Sequence, residues 1–166
     1  MRIKIFVLLC LTAIMQFTGV TPLKASHYYY KQLSLKDGVT SAVRCILTDK
    51  QGFVWIGTKA GISRYDGHEL KKYVYSPNNP HSIPNNLIHQ IAEDEMSNIW
   101  ILTDKGIARY QRQSDDFFLP TDEKGNPIIA YSTCLTKDGV LFGSKDKVYF
   151  YSYRDSSLRL LQKLNT

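Results

Sequence analysis

The chain has 166 residues, of which 43% are hydrophobic and 12% aromatic; this excludes a disordered polymer and allows one domain with a modest core. Lys and Arg number 21 against 15 Asp and Glu, a formal charge of +6 that falls to about +3 once the leader described below is removed, and so calls for neither nucleic acid nor an anionic membrane as partner.

Arg2 and Lys4 open the chain, Ile5 to Met15 is an almost unbroken apolar run, and the segment closes on Leu23-Lys24-Ala25-Ser26. That order predicts a secretory signal peptide over residues 1–25, cut between Ala25 and Ser26, and a mature chain that is periplasmic or secreted. The apolar run falls short of the about 20 residues that a membrane span needs. Loss of Arg2, Lys4 and Lys24 lowers Lys plus Arg from 21 to 18 against 15 acids, so the mature charge is about +3. Two cysteines then remain, Cys45 and Cys134. Both sit in apolar, strand-like contexts and are expected to be unpaired and buried. No Cys/His cluster suggests a metal, and no motif suggests a cofactor.

Residues 26–38 include Tyr28-Tyr29-Tyr30 and read as an N-terminal outer strand that would complete a last blade. The stretch 43–65 then recurs at 88–110 without a gap, at an offset of 45 from Trp55 to Trp100. Asp49/Asp94, Gly61/Gly106, Ile62/Ile107, Arg64/Arg109 and Tyr65/Tyr110 coincide. A worn third copy runs from Cys134 to Tyr151, with Gly143 matching Gly57, Leu141 in place of the tryptophan, and a first turn about two residues shorter.

Each unit reads as strands. In the first, Val43 to Thr48, Val54 to Thr58, Ile62 to Tyr65 and Leu70 to Tyr75 are apolar or β-branched runs separated by Asp/Gly-containing turns. No stretch has helical periodicity. Four antiparallel strands in a unit of 41–45 residues predict a propeller blade. The fold expected is therefore all-β, an incomplete β-propeller of about three four-stranded antiparallel blades: blade 1 over 39–76, blade 2 over 77–119 and a partial blade 3 over 120–166. A closed ring of seven such blades needs about 300 residues, so the missing blades of the same propeller are expected elsewhere.

The recurrent positions Asp49, Trp55, Gly57, Gly61, Tyr65, Asp94, Trp100, Gly106 and Tyr110 are expected to be structural, because a residue required by every unit serves the scaffold. Gly57, in mid-strand, implies close approach by a neighbouring blade. Asp49 and Asp94 are placed to accept backbone N–H groups in their turns. Arg64 and Arg109 are expected to make structural bonds. Ligand chemistry should instead use positions that differ between units, among them Tyr28, Tyr29, Tyr30, His68, His81 and His89, although nothing in the sequence ties these together. No catalytic residue is indicated: Asp49 and Gly52 are spaced differently from a glycosidase Asp-box, and Asp49 and Asp94 are repeat equivalents rather than a pair flanking one bond.

The stretch Tyr30-Lys31-Gln32-Leu33-Ser34-Leu35-Lys36-Asp37-Gly38-Val39-Thr40, followed by the motif from Asp49 to Gly67, resembles the opening of the two-component regulator propellers, as does the loop Tyr75 to Pro84. The resemblance covers residues 28–151. It implies the sensor region of a Bacteroides-type hybrid two-component system, non-catalytic in this segment. An oligosaccharide is then the expected ligand, and the full-length protein is expected to be a homodimer anchored in the inner membrane, its histidine kinase lying outside this chain. Two alternatives stand beside it: a secreted binding propeller unlinked to signalling, and a truncated remnant. Leu102 where the motif has Gly, and the lost tryptophan of the third unit, depart from the family pattern in the way relaxed constraint would produce.

Overall fold

The computed structural model describes residues 42–163, and all regular secondary structure there is β-strand. The predicted leader with its Ala25–Ser26 cut, and Tyr28, Tyr29 and Tyr30, lie outside the described residues. The first sheet comprises β1 (Val43–Thr48), β2 (Val54–Thr58), β3 (Gly61–Tyr65) and β4 (Leu70–Tyr73). The second comprises β5 (Ile88–Glu93), β6 (Ile99–Thr103), β7 (Gly106–Gln111) and β8 (Asp116–Phe118). The third comprises β9 (Ser132–Leu135), β10 (Gly139–Gly143), β11 (Lys147–Ser152) and β12 (Leu158–Lys163). Every sheet is antiparallel with its strands in chain order. The β1–β2 and β3–β4 turns and their counterparts therefore share one end, and the β2–β3 turns share the other with the starts of β1, β5 and β9.

The turns explain the hairpins. At the first end, Asp49 Oδ1 accepts the N–H groups of Gln51 and Phe53, both at 3.0 Å. At the other end a hydroxyl does the work: Thr58 Oγ1 donates to Gly61 O at 2.9 Å and accepts the Ala60 N–H at 2.9 Å. Gly61 has φ +114°, and a Cβ there would lie 2.5 Å from Tyr73 O, so only glycine fits this turn.

Two cores separate three sheets. Trp55, Ile62, Ile99, Ile101, Ala108 and Tyr110 pack between the first and second sheets. Trp100, Leu102, Ile107, Val140, Phe142 and Tyr151 pack between the second and third. Alternate residues of β6 serve opposite cores, so all five are buried and the strand reads as a continuous apolar run.

Two expectations are corrected. Cys45 and Cys134 are both free thiols, but Cys45 is half-buried and Cys134 exposed. Cys134 pairs with Leu141, and the alternation of the strand turns both away from the face that carries Val140 and Phe142 into the second core. The register of β9 on β10 also sets Thr136 in the place of Asp49, so the third first-turn is shorter by one residue, not two.

Leu102 has a packing explanation. In the first core a Cβ on Gly57 would meet Ile88 Cγ2 at 2.7 Å, so the next sheet leaves no room for a side chain. By register, Leu102 corresponds to Gly57 and Ala130 to Ile88. Leu102 and Ala130 are both fully buried in the second core. Large and small residues have exchanged sides of the interface, which conserves volume.

Candidate functional site

The recurrent residues form one network, built twice. Trp55 and Trp100 are fully buried. Each indole N–H donates to the turn aspartate of its own sheet, Trp55 Nε1 to Asp49 Oδ2 at 2.9 Å and Trp100 Nε1 to Asp94 Oδ2 at 2.8 Å. Each ring meets a tyrosine of the following sheet edge-on at 4.8 Å, Trp55 with Tyr110 and Trp100 with Tyr151. Each strand-three arginine donates to that same tyrosine: Arg64 to the Tyr110 hydroxyl, and Arg109 Nη1 to Tyr151 OH at 2.5 Å. Gly106 O accepts from Thr103 Oγ1 at 2.7 Å, as Gly61 O does from Thr58, and Tyr65 OH donates to Gly67 O at 2.5 Å. The Asp–Trp hydrogen bond has a signal in the sequence: an Asp stands six residues before each Trp, and both are lost together as Thr136 and Leu141.

Asp115, outside the recurrent set, gathers the first interface. Its Oδ1 accepts from Tyr73 OH at 2.6 Å and Tyr110 OH at 2.5 Å, and the carboxylate pairs with Arg64 at 3.3 Å and with Lys71. Burial pushes its pKa up, but the hydrogen bonds from Lys71, Tyr110 and Tyr73 and the Arg64 charge outweigh it and hold the carboxyl at about 2. Burial also pushes Asp49 up, and hydrogen bonds from Trp55, Arg112 and the Phe53 N–H bring it below the ordinary range. Arg112 Nη2 reaches Asp49 Oδ2 at 3.1 Å from the second sheet.

Around this constant frame, the starts of the first strands vary. The β1–β2 register slips between Val43 and Cys45, and the β5–β6 register between Ile88 and Gln90, leaving Arg44 and His89 as bulge residues. Ahead of β9 the N–H of Tyr131 bonds Gly143 O at 2.9 Å, which puts Tyr131 in the corresponding place. A bulge gives up a ladder bond and re-aims a side chain, a device common beside binding sites. Three equivalent strand starts thus present Arg, His and Tyr. His89 Nε2 lies 3.3 Å from Asp104 Oδ1, and its ring meets Tyr131 edge-on at 5.7 Å. Tyr131 is 53% exposed. An exposed phenol ring beside an imidazole–carboxylate pair can stack on an apolar ring face and bond the hydroxyls at its edge.

The other histidines named from the sequence do not join this cluster. His68 lies in the exposed β3–β4 turn, its N–H bonded to Asp66 Oδ1 at 2.7 Å. His81 Nδ1 is 3.8 Å from Asp116 Oδ2, beside β8. Asp49 and Asp94 occupy equivalent turns of different sheets. Among the described residues, no three His, Cys, Asp or Glu side chains gather in a way that could hold a metal ion, and no helix is long and apolar enough to cross a membrane.

Residues 37–60 match the family model described as two component regulator propeller. Histidine kinase P4 of Formosa agariphila is 37% identical over 59 residues, which is 35% of this chain and 4% of that protein. Among solved structures, the extracellular domain of a B. thetaiotaomicron hybrid two component system, BT3049, superposes with TM-score 0.63 at 20% identity, over 77% of this chain and 19% of that one. The extracellular domain of BT4673 from the same organism, described as a one component system, superposes with TM-score 0.63 at 19% identity, over 84% of this chain and 22% of that one. The chain thus spans only a small part of the relatives it matches. Residues 37–60 thus carry a two-component regulator propeller motif on the first hairpin, and the three antiparallel four-stranded sheets share the fold of the extracellular domains on which they superpose.

Proposed function

We propose that this chain is part of the ligand-sensing region of an extracytoplasmic receptor of the hybrid two-component kind, and that it binds an oligosaccharide without turning it over. In this reading the chain is exported, further blades cover the exposed apolar residues of the first and third sheets such as Ile46 and Leu161, and the whole receptor works as a homodimer anchored in the inner membrane. The observation that carries the reading is the contrast between the repeated, buried scaffold and the non-recurrent strand starts Arg44, His89 and Tyr131, which occupy equivalent places in successive sheets. Recurrent residues are consumed by packing, and these three strand starts are left for recognition.

Calorimetry with a panel of tetrasaccharides tests this. One of them should release heat on binding, and Tyr131→Ala should weaken that binding about tenfold, the loss of one stacked ring, with an unchanged circular dichroism spectrum. Binding indifferent to Tyr131, or hydrolysis of the bound sugar, would overturn it.

A further inference from the structure

The two ends of the sheets carry opposite charge, and the turn chemistry explains why. At the β1–β2 end each of the six turns contains an aspartate, from Asp49 in the first to Asp155 in the last. Several of these carboxylates cap their turns by accepting backbone N–H groups, as Asp49, Asp66 and Asp94 do. At the β2–β3 end the first two turns are capped by the neutral hydroxyls of Thr58 and Thr103. Each of the three turns there carries an exposed lysine, Lys59, Lys105 and Lys145, and two of them also an aspartate, Asp104 and Asp146.

The cations of the two ends differ in their partners as well. Arg64 and Lys71 pair with Asp115, and Arg112 with Asp49. Among the described residues, Lys59, Lys105, Lys145 and Arg44 have no carboxylate within ion-pair distance. Two acids share their end of the inner strands: Asp104, held by His89 at 3.3 Å, and Asp146 beside Lys145. Asp122 and Glu123 lie farther out, lining a cavity of about 310 Å³ with Tyr149, Leu158 and Leu160. In the first sheet unpaired cations flank the bulge directly, and in the second Lys105 follows Asp104, the partner of the bulge histidine. Thr58, next to Lys59, pairs with Val43, next to Arg44, and Thr103 pairs with Ile88, next to His89.

We infer that the β2–β3 end recognises an anionic oligosaccharide, one whose sugars carry carboxylate or sulfate groups, with Tyr131 stacking on a ring and Lys59, Lys105, Lys145 and Arg44 meeting the negative charges. This rests on the oligosaccharide reading above and adds the charge of the ligand. A row of exposed, unpaired cations raises the local concentration of anions and speeds their encounter, in proportion to how little salt screens it.

The test uses tetragalacturonic acid and its fully methyl-esterified form, which share a skeleton and differ in charge. The full chain should bind the acid at least tenfold more tightly than the ester, and raising ionic strength from about 0.01 to 1 M, which shortens the screening length from about 30 to 3 Å, should erase the difference. The triple variant Lys59→Gln/Lys105→Gln/Lys145→Gln should lose about tenfold in affinity for the acid and keep its affinity for the ester, which also reports that it is folded. Equal binding of acid and ester, insensitive to salt and to the triple variant, would overturn the inference and leave the oligosaccharide reading standing. Binding of neither sugar, with co-sedimentation on phosphatidylglycerol vesicles or without it, would overturn both.

Discussion

The first and second interfaces between sheets are made from the same repeat and held in different ways. Both seat a buried tryptophan against the next sheet's tyrosine at 4.8 Å, with an arginine bonded to that tyrosine. The first adds a lattice of charge: Asp115 with Arg64 and Lys71, Asp49 with Arg112, and the Lys50 N–H on Glu93 Oε2 at 2.8 Å. The second has no ion pair between its sheets among the described residues. There the place of Arg112 is taken by Tyr153, whose hydroxyl is pushed up to about 12 by burial and by the nearby Asp94 charge. Asp94 is satisfied within its own turn, by the side-chain amide of Asn98 at 2.9 Å. Aromatic packing is the shared requirement, and the polar layer over it is interchangeable.

The contrast can be broken most sharply at the exchanged pair. Leu102→Gly should cost about 3–5 kcal/mol in urea unfolding, from lost burial, cavity and backbone freedom, and adding Ala130→Ile should restore more than half of it. Strictly additive costs would show that the two positions do not share one space. Next, Asp49→Ala should cost about 3 kcal/mol, because it strands a buried indole N–H and leaves the Arg112 guanidinium only the more distant Glu93 carboxylate. Asp94→Ala strands only neutral donors and should cost about 1–3 kcal/mol; equal losses would remove the distinction between the interfaces.

The smallest effect concerns acid. The Asp115 carboxyl is lowered to about 2 in the folded chain, against about 3.9 when unfolded. Its contribution is therefore complete above about pH 4 and fades as pH falls from there toward about 2. Unfolding measured over that window should show a flatter acid limb in Asp115→Asn, with hydrogen exchange rising first across the first interface. An unchanged slope would mean that Asp115 carries no net stabilisation.

Much of this architecture was legible because strand and turn chemistry is local. The runs of β-branched residues, the Asp/Gly turns and the offset from Trp55 to Trp100 mark eleven or twelve strands without reference to anything distant. Gly57 was readable as a point of close approach because a mid-strand glycine has few other uses. The partner that approaches was not, since Ile88 lies one blade on and behind a bulge that pattern alone conceals. For the same reason Leu102 read as a lapse, when its counterpart Ala130 sits in a connecting segment with no repeat signature. Asp115 escaped notice because it recurs nowhere, and the cluster of His89, Asp104 and Tyr131 because it joins strand starts from two sheets.

The exchange of bulk between Gly57–Ile88 and Leu102–Ala130 gives every sheet an address. Unequal crossing-over between such similar gene segments can drop or double a unit, and these residues make either product misfit. Loss of the second sheet would set Gly57 against Ala130 and open a void; doubling it would drive Leu102 into Ile88. A tandem array that copies easily in DNA is thereby kept in one order in the protein.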